Sequence, residues 1–268
     1  MMRQIPEWPD VKPDEFQTRI LPRSQPAVLR GLALEWPLVV AARESDDCWL
    51  GTLIIHASNL PVDVIRAEPS EEGRFHYSPD GQSLNFVRGQ ANLALFLGAL
   101  REHAKSGQPH ALAVQGLRAD QHLPGFRARH PMPLVPVGTE PRIWIGNASK
   151  VATHNDPVDN IAVVVAGRRR FTLFPPESEQ DLYLGPSHPT PAGTPVSMVH
   201  MTAPDLKLYP RFASALEAGE EAELAPGDAI FIPKDWFHHV EALEPFNMLV
   251  NYWWDAGRGT QLSCSATE

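Results

Sequence analysis

The alternation of apolar and polar residues predicts many short strands and few helices. The clearest helix is predicted over residues 92–105, where apolar positions recur at helical spacing and Gly107 follows as a C-terminal stop. Shorter helices are predicted over residues 14–19 and 48–56. Strands are predicted over residues 26–31, 60–67, 75–77, 111–114, 143–145, 160–166, 170–174, 229–232 and 248–254.

The short strands after residue 142 are separated by turn signals, a spacing typical of a β-sandwich or barrel. The proline-rich stretch 124–141 is predicted to be a surface loop. No repeat or low-complexity tract divides the chain. We therefore predict one domain over residues 1–268, in which 1–141 pack helices and supporting strands on a β core formed by 142–256.

Composition fits a soluble globular protein, with 43% hydrophobic and 21% charged residues among 268. The 27 prolines disfavour long helices. A formal net charge of -9 leaves no basic footprint for nucleic acid, so no nucleic-acid partner is expected. The two cysteines, Cys48 and Cys264, form no CxxC pair, which favours a reducing, cytoplasmic setting.

No targeting or membrane segment is visible in the sequence. The first ten residues, MMRQIPEWPD, lack the apolar core of a signal peptide. No apolar run approaches the roughly 20 residues of a membrane helix. A cytoplasmic location without membrane contact is the expectation.

A metal site is suggested by His154-Asn155-Asp156, because residues i and i+2 of a strand point to the same face. The triplet alone is common, and its ordinary alternative is a surface polar pair. Downstream, a glycine turn and an apolar strand lead to His238 and His239, of which alternation lets only one face the metal. Two histidines and one carboxylate form the facial triad of non-haem Fe(II) oxygenases, although the same donors accept Zn(II) or Ni(II).

Several ordered motifs give the chain a resemblance to the cupin-like JmjC oxygenases. In motif order it is most similar to the asparaginyl hydroxylase of that family that acts on hypoxia-inducible factor. The resemblance covers nearly the whole chain and is most specific over residues 142–254. The motifs that carry it are QPAVLRG at 25–31, EWP at 35–37, FHY at 75–77, RIWIGN at 142–147, HND at 154–156, GRRRFTLFPP at 167–176, PGD at 226–228, the histidine pair at 238–239 and NYW at 251–253.

The resemblance implies a mainly β double-stranded β-helix of the jelly-roll or cupin type. It also implies Fe(II) held by His154, Asp156 and His238, with 2-oxoglutarate as cosubstrate. The distal carboxylate of that cosubstrate is assigned to Arg169, and a guanidinium can grip a carboxylate with two parallel bonds. Strand alternation makes one inward arginine between the outward Arg168 and Arg170 physically natural.

The remaining site residues also follow from the resemblance. Asn160 and Asn251 match asparagines near the metal and cosubstrate, while Trp253 and Gln115 are assigned to the substrate pocket. The chain departs from the relative at two positions that carry hydroxyl groups there. Those positions hold Val151 and Ala113 here, and Tyr77 is the candidate replacement donor.

The predicted activity is hydroxylation, or demethylation if the carbon is an N-methyl group. The first expectation for the substrate is a peptide or protein side chain, and the second is a small molecule or natural product. The same residues would also suit a non-catalytic metal-binding cupin or a zinc or nickel cupin isomerase. The chain stops soon after Trp254 and lacks the relative's helical dimerisation segment, so a monomer or weak homodimer is expected.

Overall fold

Two large β-sheets dominate the computed structural model, which describes residues 2–257. The strands are β1 (Arg3–Gln4), β2 (Glu7–Pro9), β3 (Ala27–Arg30), β4 (Pro61–Ala67), β5 (Arg74–Phe75), β6 (Phe86–Asn92), β7 (Ala111–Arg118), β8 (Pro141–Gly146), β9 (Ser149–Asn155), β10 (Asp159–Ala166), β11 (Arg169–Phe174), β12 (Glu220–Leu224), β13 (Ala229–Ile232), β14 (Phe237–Ala242) and β15 (Asn247–Trp254). The α-helices are α1 (Pro13–Glu15), α2 (Pro37–Glu44), α3 (Asp46–His56), α4 (Leu93–His103), α5 (Ala119–His122), α6 (Phe126–Arg129) and α7 (Phe212–Ala218).

The smaller sheet has six strands in the order β1-β12-β11-β14-β9-β5. The larger has nine, in the order β2-β3-β13-β10-β15-β8-β7-β4-β6. Most neighbouring strands are antiparallel, and sequence neighbours such as β9 and β10 lie in different sheets. This alternation between two sheets is the jelly-roll arrangement predicted from the sequence, and the predicted fold class is confirmed.

One apolar cluster contains residues from both sheets, so their inner faces pack against each other. Phe171 and Leu173 of β11 contribute from the small sheet, and Ala162 and Val164 of β10 from the large one. Ile161 and every second residue after it on β10 lie on the outer face of the large sheet, where the helices cover them. Strand β10 is therefore covered on both faces, which explains its unbroken apolar run.

The N-terminal half differs in detail from the expectation. Strand β6 was not predicted because its sequence FVRGQAN is mostly exposed at a sheet edge and lacks apolar alternation. Helix α2 was not predicted. It begins at Pro37, and proline suits the first turn of a helix although it disrupts a helix interior. The stretch 124–141 contains the short helix α6, which anchors itself by burying Phe126.

Cys48 is a free cysteine, and Cys264 lies outside the described residues. No helix among residues 2–257 is long and apolar enough to cross a membrane.

Candidate functional site

His154 and His238 lie directly opposite each other on the antiparallel strands β9 and β14. Their rings stand 4.3 Å apart between centroids. His238 is also opposite Leu173, a member of the inner apolar cluster, so both histidines occupy the inner face of the small sheet. The two rings are thus held together by strand pairing at one end of the space between the sheets.

A β-bulge in β9 sets this arrangement. His238 and Val240 are two residues apart on β14, whereas their partners His154 and Val151 are three apart on β9. The extra residue in β9 brings both partners to the inner face despite their odd separation. Bulges of this kind re-aim side chains and are over-represented beside active sites.

The tautomer of each histidine is fixed by a backbone carbonyl two residues earlier. Nδ1 of His154 lies 2.8 Å from the Ala152 carbonyl, and Nδ1 of His238 lies 3.1 Å from the Trp236 carbonyl. A carbonyl only accepts, so each Nδ1 must carry the hydrogen in the neutral ring. Each Nε2 then keeps a free lone pair, the form in which imidazole binds a metal.

Burial lowers the pKa of His154, and the neighbouring His238 lowers it further. The nearby Asp156 acts in the opposite direction. Loss of solvent and the second imidazole prevail, so the neutral, metal-binding form is favoured at neutral pH.

Asp156 follows the last residue of β9 and is placed by two contacts. Its carbonyl accepts a hydrogen bond from the Asp235 amide at 2.9 Å. Its Oδ2 accepts a hydrogen bond from the indole Nε1 of Trp253 at 2.9 Å and lies 3.7 Å from Nε2 of His238. The carboxylate therefore faces the histidine pair from beyond the end of the strand.

The contacts among His154, His238 and Asp156 are pairwise. Within residues 2–257, no three His, Cys, Asp or Glu side chains are closed around one point as a ready-made metal cage. The donor chemistry still fits a divalent transition metal, since two neutral imidazoles and one carboxylate approach each other.

Arg169 lies on the inner face, on the same side of β11 as Phe171 and Leu173, and is only 6% exposed. Its Nε has no hydrogen-bond partner, and no ion pair joins Arg169 to another described residue. Burial lowers the pKa of Arg169 to about 10. A buried cation without a carboxylate partner is costly, and such a group is expected to receive an anionic ligand.

The two predicted asparagines meet in the same interior. Nδ2 of Asn251 donates to Oδ1 of Asn160 at 3.0 Å, and both residues are buried. The Oδ1 atom of Asn251 is buried without a hydrogen-bond partner among the described residues. It is an open acceptor for a donor from outside the chain.

The hydroxyl of Tyr77 is used within the fold. It donates to the Pro186 carbonyl at 2.6 Å and accepts from the Val196 amide at 3.3 Å. Its single hydrogen is thus engaged away from the histidine pair, which leaves it no donor for a cosubstrate. Ala113 and Val151 contribute only apolar surface to the clusters they join.

Gln115 is half-buried on β7, two residues after Ala113, beside a second bulge between Val114 and Leu117.

Arg142 was not predicted as a site residue. It lies opposite Asn251 and hence on the same face of the sheet. Its guanidinium donates to the Gly116 carbonyl at 3.3 Å and lies 3.5 Å from Glu140. The motif at 142–147 includes Arg142, but the register between β8 and β15 is what places it beside Asn251.

His239 occupies the other face of the small sheet, opposite Thr172 of β11. It lines a small pocket with His76, His200 and Lys150, and neither of its ring nitrogens has a hydrogen-bond partner of normal geometry in the described chain. The two adjacent histidines are thus separated by strand alternation. The one opposite His154 is His238.

A surface cavity of about 810 Å³ lies elsewhere, among residues 69–73, 104–111, 147–150 and 241–245. It contains neither histidine of the pair nor Arg169. Its size alone does not make it the functional site, because it lacks the convergent buried polar groups found between the sheets.

A protein-family model described as a cupin-like domain matches residues 13–259 of the chain. Among curated proteins, the chain is 27% identical to the tRNA wybutosine-synthesizing protein 5 of Danio rerio over 94% of this chain and 75% of that protein.

Two further relatives match over less than half of the chain. Identity is 37% to the lysine-specific demethylase JMJ31 of Arabidopsis thaliana, over 42% of this chain and 20% of that protein. It is 35% to the HSPB1-associated protein 1 of Mus musculus, over 43% of this chain and 24% of that protein. The matched stretches therefore span only a fifth to a quarter of these two longer relatives.

Proposed function

The chain belongs to the cupin-like domain family, and on that basis we propose that it is an oxygenase that uses Fe(II) and 2-oxoglutarate to hydroxylate its substrate. His154, Asp156 and His238 would hold the metal, and Arg169 would hold the distal carboxylate of 2-oxoglutarate. When bound, these two groups supply the oxidising chemistry, while the protein supplies orientation and exclusion of water.

The observation that carries the proposal is the unpaired, buried Arg169 on the face that also bears the histidine pair. Leu173, beside His238, and Arg169 are four residues apart on β11. At about 3.3 Å per residue, these positions are about 13 Å apart. The long arginine side chain covers part of that distance, and a short dicarboxylate suits the remainder. A zinc or nickel site without a dicarboxylate would leave the cation unexplained.

The residues of this chain have separate tasks in the proposed reaction. The carbonyls of Ala152 and Trp236 keep the hydrogen on Nδ1 of each histidine, so that Nε2 stays free. Arg169 orients the cosubstrate through charge and hydrogen bonds. The apolar surface between the sheets excludes water and strengthens these electrostatic contacts.

A peptide or protein side chain is the first substrate class we propose. The net charge of -9 does not favour binding of a polyanion. A modified nucleoside in tRNA is the second candidate, because the relative that aligns with 94% of the chain is named for tRNA wybutosine synthesis.

The test measures succinate release from 2-oxoglutarate with added Fe(II), in the wild type and in His154→Ala, His238→Ala and His239→Ala. We expect turnover to be lost in the first two and retained in the third, since His239 lies on the opposite face. Circular dichroism checks that each variant is folded. Equal succinate release by wild type and His154→Ala would refute the assignment.

Substrate class is tested separately, with a peptide array and a total tRNA pool as alternative additions. A mass gain of one oxygen atom in either pool identifies the class.

A further inference from the structure

The indole of Trp253 touches the proposed metal-binding carboxylate itself. Its Nε1 donates to Oδ2 of Asp156 at 2.9 Å, and the same oxygen faces Nε2 of His238 at 3.7 Å. A carboxylate oxygen has two lone-pair directions. The indole takes one of them, and the other remains available on the side of the histidine pair.

Asp156 needs such support because it lies outside the hydrogen-bonded strand pairing of the small sheet. Strand β9 ends at Asn155, and the backbone carbonyl of Asp156 is tied only to the Asp235 amide among the bonds of the described chain. Its side chain is 21% exposed, so the carboxylate has room to rotate. Rotation would turn the facing oxygen away from His238.

Trp253 is itself well fixed. It lies opposite Asn160 of β10, one residue beyond the last pair that β15 forms with β8. Its ring packs edge-on against Trp144 with centroids 5.2 Å apart. The indole N–H is thus a rigid donor aimed at a group that is otherwise loosely held.

We propose that Trp253 is a positioning residue for the metal site, whose indole N–H fixes the Asp156 carboxylate so that one oxygen stays turned toward His154 and His238. This inference rests on the proposed function. It gives Trp253 a task beyond the pocket wall expected from sequence. Hydrogen-bond partners of metal ligands commonly contribute a factor of about 10 to 100 in metal affinity.

The experiment compares wild type, Trp253→Phe and Trp144→Phe with metal alone. Phenylalanine at 253 keeps an aromatic ring and removes the N–H. Trp144→Phe is the matched control, because its indole makes no hydrogen bond to another residue of the described range. Mn(II) affinity is read from the electron paramagnetic resonance signal of free Mn(II). The absorption spectrum of the Co(II)-loaded protein reports ligand geometry.

We expect Trp253→Phe to bind Mn(II) about 10- to 100-fold more weakly, with altered Co(II) bands. Trp144→Phe should stay within about threefold of wild type, with its bands unchanged, because it leaves the hydrogen bond to Asp156 intact. Thermal melting confirms that both variants are folded.

The remaining outcomes separate two kinds of failure. If wild type binds no Mn(II), the proposed metal site fails. If wild type binds and Trp253→Phe binds equally or more tightly, the metal site stands and the positioning role is overturned. Equal weakening in both variants would also overturn that role, since it would point to aromatic packing.

Discussion

Replacing Arg169 with methionine is expected to stabilise the metal-free protein while abolishing its response to 2-oxoglutarate. The guanidinium is buried on the inner face and has no anionic partner in the described chain. Methionine fills a similar volume without charge. The substitution therefore removes a cost of folding together with the proposed binding function.

The size of the effect follows from burial. Burial lowers the pKa of Arg169 to about 10, and this corresponds to about 3 kcal/mol at about 1.36 kcal/mol per pH unit. The pKa in the folded protein lies below that of the unfolded chain. The charged form therefore destabilises the fold fully at neutral pH, and the cost is relieved only as pH rises through about 10.

Replacing buried charges with apolar groups commonly stabilises by about 1 to 4 kcal/mol. We expect about 1 to 3 kcal/mol for Arg169→Met in urea unfolding at pH 7, and a rise in melting temperature of about 3 to 10 °C for a chain of this size. The control is Arg170→Met. Arg170 is exposed near Glu223 and Glu241, at 3.5 and 3.6 Å, and its loss should change stability by less than about 1 kcal/mol.

The binding half of this prediction uses Mn(II) with saturating 2-oxoglutarate. A ligand at 100 times its dissociation constant stabilises the folded state by about 2.7 kcal/mol. Wild type should show such a gain, and Arg169→Met should show none. If the metal-free variant were less stable than wild type by about 1 kcal/mol or more, or if it kept the cosubstrate response, the argument from an unpaired cation would be refuted.

Two further predictions concern the frame around the site. Tyr77→Phe should lose about 1 to 2 kcal/mol of unfolding free energy, because the Tyr77 hydroxyl is hydrogen-bonded to the Pro186 carbonyl and the Val196 amide. The Kd for 2-oxoglutarate, measured by calorimetry, should not change. A tenfold rise in that Kd would show that this hydroxyl belongs to the cosubstrate site. Gly167→Ala should destabilise by more than about 2 kcal/mol in urea unfolding, since φ is +71° and an added Cβ would lie 2.3 Å from Oδ1 of Asn247. The control is Gly98→Ala, on the exposed face of α4, where an added Cβ would have no other atom within 4 Å. It should stabilise the protein by about 0.5 to 1 kcal/mol. Equal changes in unfolding free energy for the two variants would contradict the steric reasoning.

Local patterns were enough to predict much of the β core. The apolar run 160–166 corresponds to β10, a prediction that needs only side-chain period and local composition. The family resemblance selected Arg169 as the inward arginine, and strand alternation is consistent with that choice. Arg169 is buried between the exposed Arg168 and Arg170.

Features set by distant partners were not predictable in the same way. The bond from Trp253 to Asp156 joins residues 97 positions apart and depends on the register of β15 with β10. The engagement of Tyr77 by Pro186 spans 109 positions. Edge strand β6 lacks apolar alternation because solvent faces most of it. In each case the determining neighbour comes from tertiary packing, which no window along the sequence contains.

The bulge in β9 also bears on how this gene can change during evolution. Loss of one codon between Val151 and His154 would remove the extra residue and restore strict alternation. His154 would then lie two residues from Val151, so both would still face inward, opposite His238 and Val240. The same strand pairing would therefore keep the two histidines together. An in-frame deletion of this one residue is a change that descendants could tolerate, whereas the same deletion in the unbulged part of a strand would turn the following side chains to the other face.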